Sequence, residues 1–194
     1  MKIIKFFIFL FVLNFSLAQN KAKQINNDII NFQGFFNFLY STNEDRIYLE
    51  VNSLNKQFLY VSSLSQGVGS NDIGLDRGQL GVRKIVFFKK SGNKLLLIEP
   101  NLKYIDDTDN PLEKKSVDEA FAKSVLHGFD IIDYKNGLYK IDLTPFLLKD
   151  RHGIKKRLVD RDQGEYFIDK SMSSINLDRT KAFEKNIEFD VLLT

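Results

Sequence analysis

The alternation of apolar and polar positions is mostly of period two. Ile47, Leu49 and Val51 alternate with Tyr48 and Glu50 over 46–51, the signature of a strand with one buried face. Phe35 to Tyr40 is aromatic and strand-like, and Asn43-Glu44-Asp45 supplies a turn, so 35–51 reads as a hairpin. Gln57 to Ser62 is a third strand. Val82 to Lys89 and Leu95 to Glu99 form another hairpin around Ser91-Gly92-Asn93, and Phe129 to Tyr134 and Leu138 to Asp142 a further one around Lys135-Asn136-Gly137. Asn186 to Thr194 reads as a last strand.

Helical patterning is sparse. Ser116 to Leu126 carries Ser116 as cap and Glu119 three residues on, with Gly128 as a stop and Val117, Ala120, Phe121, Ser124 and Val125 on one face. Thr144-Pro145 predicts a shorter helix with threonine as cap and proline at its first position. Residues 20–34 read as a short helix or a lead-in. The expected class is α+β: mainly antiparallel β with hairpins and one or two short helices.

The first eighteen residues follow a different rule. Lys2 and Lys5 precede an unbroken apolar run, Phe6 to Leu13, and the small residues Ser16 and Ala18 stand at −3 and −1 of a cleavage point before Gln19. This is the pattern of a secretory signal peptide. A membrane span needs about 20 apolar residues, more than this run supplies. No cysteine follows the cleavage point, which excludes a lipoprotein anchor. The expected organisation is a signal peptide at 1–18, a lead-in at 19–34 and a β-rich domain at 35–194, giving an exported, periplasmic or extracellular protein that is not held in a membrane after cleavage. Ile187 to Thr194 ends within an apolar alternating strand whose edge invites pairing. The strand is either central or final in its sheet, or the chain continues in a longer protein and the domain is truncated here; the second is expected.

Composition narrows the chemistry. The chain has 194 residues and no cysteine, so disulfide scaffolds, thiolate metal sites and cysteine nucleophiles are excluded. Removing Lys2 and Lys5 from the 28 basic residues leaves them nearly balanced by the 25 acidic ones, which gives no argument for a nucleic-acid partner. His127 and His152 are the two histidines, 25 positions apart and without zinc-ligand spacing; each reads as structural, His127 at a helix end where a cation suits the dipole. Asp106 to Asn110 fails the calcium-loop pattern because Pro111 follows Asn110, and reads as a solvated acidic turn. The basic residues from Lys149 to Arg161 are diluted by Asp150 and Asp160 and read as a solvated face.

The unusual stretch is the loop from Ser65 to Gly81, which holds five of the 11 glycines. Glycine permits positive φ and close backbone approach, so such a loop can offer backbone N–H groups to a partner. It has neither a phosphate-loop nor a nucleophile-elbow pattern. Its candidate binding or docking residues are Gly67, Gly69, Asn71, Asp72, Gly74, Asp76, Arg77, Gly78 and Gln79. An Asp–Arg pair and backbone caps bracing a long loop would account for the same residues without a ligand. No catalytic constellation and no metal-ligand set stands out.

Five segments carry a family resemblance: Gly69 to Gly81, Asp109-Asn-Pro-Leu-Glu113, Phe121 to Leu126, Asp142 to Asp150 with His152-Gly153, and Arg179 to Phe183. In this order they resemble the N-terminal, uncharacterised domain of exported bacterial zinc-dependent metalloproteases. The resemblance implies a metzincin-like catalytic domain downstream, with an extended His-Glu-x-x-His helix and a glutamate base. No position in this chain matches that motif, so no catalytic or metal residue carries over and no cofactor is expected here; zinc is implied only for the downstream domain. The implied role is a non-catalytic domain packing on that metallopeptidase partner through the glycine loop. The alternative is a stand-alone exported binding module for peptide or glycan, with Tyr40, Tyr48 and Tyr60 lining a groove.

Overall fold

The structure, a computed structural model, describes residues 28–69, 71–105 and 107–194. The segment read as an export signal, the first residues of the lead-in, Ser70 and Asp106 lie outside the described residues.

Eight strands build one sheet: β1 (Ile29–Phe32), β2 (Asn37–Ser41), β3 (Arg46–Val51), β4 (Phe58–Ser63), β5 (Leu80–Ser91), β6 (Lys94–Glu99), β7 (Ser124–Lys135) and β8 (Leu138–Asp142). Their order is β1-β2-β3-β8-β7-β6-β5-β4, and every neighbouring pair is antiparallel. A separate hairpin, β9 (Ser174–Phe183) with β10 (Asn186–Leu192), lies against the same core. The turns that join the strands place Asp45, Gly92, Asn136 and Gly137 at positive φ, where Gly, Asn and Asp are tolerated.

The sheet curls so that its two ends meet over one core. Phe36, just before β2, lies 5.2 Å from Phe58 of β4 and 5.9 Å from Phe88 of β5, ring centre to ring centre. Phe38, Ile47, Val51, Val86, Leu95 and Ile141 are fully buried. Burial of a side chain such as Phe38 contributes about 1.5–3 kcal/mol. The β9–β10 hairpin closes the open side. Phe189 stands 4.8 Å from Phe38, and the Phe35 amide donates to the Phe183 carbonyl at 2.8 Å. The apolar side of β10, Ile187, Phe189 and Val191, is therefore turned onto the core.

Three short helices complete the described residues: α1 (Pro111–Ala120), α2 (Thr144–Leu147) and α3 (Ile154–Asp160). The architecture is thus β-rich, and the α+β expectation is only loosely met. The helix expected over 116–126 begins five residues earlier. Asn110 caps it by accepting from the Leu112 amide at 3.0 Å, and Pro111 occupies its first turn, where a missing N–H costs nothing. It stops at Ala120 because Ser124 and Val125 join the ladder with Glu99 and Ile98 of β6. His127 therefore sits within β7 and not at a helix end. Within the stretch read as lead-in, residues 29–32 form a strand paired with β2. Among the described residues no helix is long and apolar enough to cross a membrane.

Candidate functional site

The glycine-rich loop folds back on itself. The Leu64 amide donates to the Gln79 carbonyl at 3.0 Å, Gly78 donates to Leu64 at 2.7 Å, and Val68 donates to Leu75 at 3.1 Å. At Gly67 a Cβ would lie 3.1 Å from both the Arg77 nitrogen and the Leu75 oxygen, a tight approach where two backbone segments cross. Gly69, Gly74 and Gly78 hold positive φ. Leu64, Ile73 and Leu75 form a small second core against Ile154 and Leu158 of α3, and Arg157 of α3 donates to the Gly74 carbonyl at 3.1 Å.

The loop presents its candidate residues unevenly. Asp72, Asp76 and Arg77 are exposed, and none of them is in an ion pair with a described residue. The bracing instead comes from backbone bonds and from α3. Asn71 opens a single 3-10 turn over 71–73. Gln79 faces inward, its Oε1 buried without a protein partner among the described residues.

Beneath the loop lies a polar seam formed by part of the stretch expected to be a solvated face; Lys149, Lys156 and Arg161 of that stretch are exposed, whereas Arg151 and His152 are half-buried. Asp150 accepts from the amides of Gly153, Ile154 and Lys155 at 2.8–2.9 Å and so starts α3. This fixes the turn carrying Arg151 and His152. The Arg151 guanidinium lies 3.8 Å from the Phe146 ring centre and donates through Nε to the Phe146 carbonyl at 3.1 Å, while Nη2 is buried without a partner among the described residues. His152 Nδ1 is likewise buried and has no partner among the described residues. It sits 2.8 Å from where a Cβ of Gly81 would be, and Ser62 Oγ borders the same point, so a side chain there would force the serine and the imidazole to move. Tyr60 and His127 meet the Phe146 ring at 5.7 and 5.4 Å.

Burial sets the electrostatics of this seam. It pushes the Tyr60 hydroxyl up, and it pushes both imidazoles down. Lys149, Arg151 and Lys94 depress His127 further; Asp150 partly opposes the shift at His152. Arg151 is itself lowered by burial. The remaining tyrosines do not join Tyr60 in one groove. Tyr40 is buried and donates to Asp45 at 2.7 Å, with its pKa pushed up to about 12 by burial and that bond, whereas Tyr48 donates to Glu44 at 2.5 Å on the opposite face of the sheet.

A second concavity lies at the other side of β5. It has a volume of about 680 Å³ and runs between Arg83–Ile85 of β5, the segment Glu99–Tyr104 and the segment Ala120–Ser124. Lys84 and Glu99 are ion-paired within it, and Tyr104 stacks on Phe121 at 4.1 Å. Pro100 follows the last residue of β6 and forces that strand to end. Among the described residues no group of three His, Asp or Glu side chains is placed to hold a metal ion.

Two family models match the chain. One, described as a domain of unknown function (DUF5118), covers residues 19–67, and the other, described as a domain of unknown function (DUF5117), covers residues 78–194. Neither a curated protein nor a solved structure matches it. The glycine-rich loop spans the gap between the two matches. The first segment supplies β1 to β4 and the second the remaining strands, so the first brackets the second from both ends of the sheet. Because the second match spans more than half of its length, this chain belongs to the DUF5117 family of domains of unknown function.

Proposed function

We propose that this is the non-catalytic N-terminal domain of an exported zinc-dependent metallopeptidase, and that it packs against a catalytic domain carrying the zinc. The motif resemblance gives the direction, and one structural observation carries the reading. The edge strand β4 exposes Leu59 and Val61, and the adjoining part of β5 exposes Leu80 and Val82. Apolar side chains on an open sheet edge favour a covering partner. The glycine loop, packed on α3, borders this surface and adds the polar groups of Asp72, Asp76 and Arg77. The start of the first family match at Gln19, the residue after the proposed cleavage point, supports export.

The test has two arms. The gene beyond codon 194 is sequenced for a frame encoding His-Glu-x-x-His, and the domain so encoded is mixed with the 194-residue chain in a calorimeter. Saturable binding that weakens when Leu59 and Val61 are changed to serine is the expected result. A folded chain that ignores the encoded domain, or that by itself cleaves protein in an EDTA-sensitive way, overturns the proposal.

A second reading, an exported module that binds peptide or glycan, is favoured by the groove beside β5.

A further inference from the structure

β5 uses its two edges over different stretches. β4 pairs with Leu80–Val86 and β6 with Phe87–Ser91. β6 ends at Glu99 because Pro100 has no N–H to continue the ladder, and the chain turns away through Asn101 to Tyr104. On the side of β6, residues 81–85 of β5 therefore carry no strand partner among the described residues. The groove of about 680 Å³ opens at this unpaired stretch.

We propose that the groove binds an extended acidic peptide, which adds as a strand to the free edge of β5. Three features support this. First, an open strand edge offers alternating amide and carbonyl groups at the spacing of an extended chain, the basis of recognition by strand addition. Second, the charge is complementary. Lys84 is neutralised by Glu99, whereas Arg83 and Lys103 have no carboxylate partner among the described residues, so the lining carries net positive charge. Third, the far wall is apolar. Tyr104 and Phe121 lie parallel, 11° apart, and remain 47% and 37% exposed, and Lys103 leans over the tyrosine ring at 5.3 Å. A strand alternates its side chains between two faces. A peptide that alternates acidic and apolar residues sets its carboxylates on Arg83 and Lys103 and its apolar side chains on the stacked rings.

The inference rests on the binding-module reading and names its ligand. The test is an amide-resolved NMR titration of the 194-residue chain with a capped hexapeptide alternating glutamate and valine. Its comparators are the lysine–valine peptide, the fully N-methylated glutamate–valine peptide and chitohexaose. Saturable shifts centred on Arg83 to Ile85 and on Tyr104 are expected, with Kd on the order of 10–100 μM. Arg83→Glu with Lys103→Glu weakens binding about tenfold or more at unchanged thermal stability. N-methylation, which removes the backbone donors, abolishes it. Equal binding of the lysine or the N-methylated peptide overturns strand addition by an acidic peptide. Chitohexaose in the groove with no peptide binding overturns the inference and leaves the module reading standing. No shift with any probe at millimolar concentration removes both.

Discussion

Ile47 and Thr144 are 97 positions apart, and the Ile47 amide donates to the Thr144 hydroxyl at 2.8 Å in a buried setting. The bond ties the start of β3 to the first residue of α2. The Leu143 amide returns a bond to the Ile47 carbonyl at 2.8 Å, so both backbone groups of Ile47 are satisfied from the same corner. Threonine in a Thr-Pro pair looks like a cap for the helix it starts, yet its hydroxyl serves a distant strand.

Thr144→Val keeps the shape of the side chain and removes the acceptor. It leaves a buried N–H unpaired and costs about 1–3 kcal/mol. Thr144→Ser retains most of the stability. Urea denaturation of both variants measures the difference, and a valine variant as stable as the parent would show that the bond contributes nothing.

Gly34 has no room for a side chain. A Cβ would stand 2.6 Å from the Phe183 oxygen and 2.9 Å from its nitrogen, both backbone atoms of β9. Gly34→Ala therefore pushes the β9–β10 hairpin off the sheet, at a cost of about 1–3 kcal/mol. Amide exchange should quicken along 174–192 more than along β6 and β7. Uniform acceleration over the whole chain would point to general destabilisation instead.

Acid weakens the fold through its imidazoles. Burial holds His127 and His152 below the ordinary histidine value of about 6.5. The unfolded chain then binds more protons than the folded one between the ordinary value and the lowered one. The contribution is complete above about pH 7 and is lost as pH falls through the lowered values. His127→Phe keeps a ring between Phe129 and Phe146, which His127 meets at 4.6 and 5.4 Å. The variant should lose less stability than the parent between pH 7.5 and 5. Parallel profiles for the two proteins would assign the acid sensitivity elsewhere.

Two family segments share one sheet. β3 pairs with β8 and β4 with β5, so each segment alone leaves sheet edges and core open. Residues 19–67 and 78–194, produced separately, should each lack cooperative melting, and mixing them should restore it. A cooperative, folded 78–194 piece on its own would contradict the shared core.

The hairpins could be read from the sequence because their turns are local chemistry: Gly92, Asn136 and Gly137 adopt the positive φ that their residue types allow. The helix was harder to place, because two capping patterns compete. Asn110-Pro111 with Glu113 prevails over Ser116 with Glu119, and α1 buries no side chain that would have marked a face. β9 carries no clean alternation, since Asp178, Arg179 and Lys181 interrupt it. It is fixed by Thr180, which is fully buried, donates to the Asn176 carbonyl at 2.9 Å and accepts from the Asp190 amide at 3.3 Å. The glycine loop stood out by composition, but its support on α3 did not. Arg151, read with the basic residues around it as part of a solvated face because charge is read locally, is sheltered by Phe146 of another element. The groove beside β5 joins three segments far apart in sequence, and no local pattern announces such a gap.

The pairing of β3 with β8 also sets the order of events as the chain is synthesised. β3 pairs with β2 at once but gains its second neighbour only after residue 142 has emerged, and ladders between such distant residues form slowly. Until then Ile47, Leu49 and Val51 face water, and that interval is when a chaperone would have its greatest effect on yield.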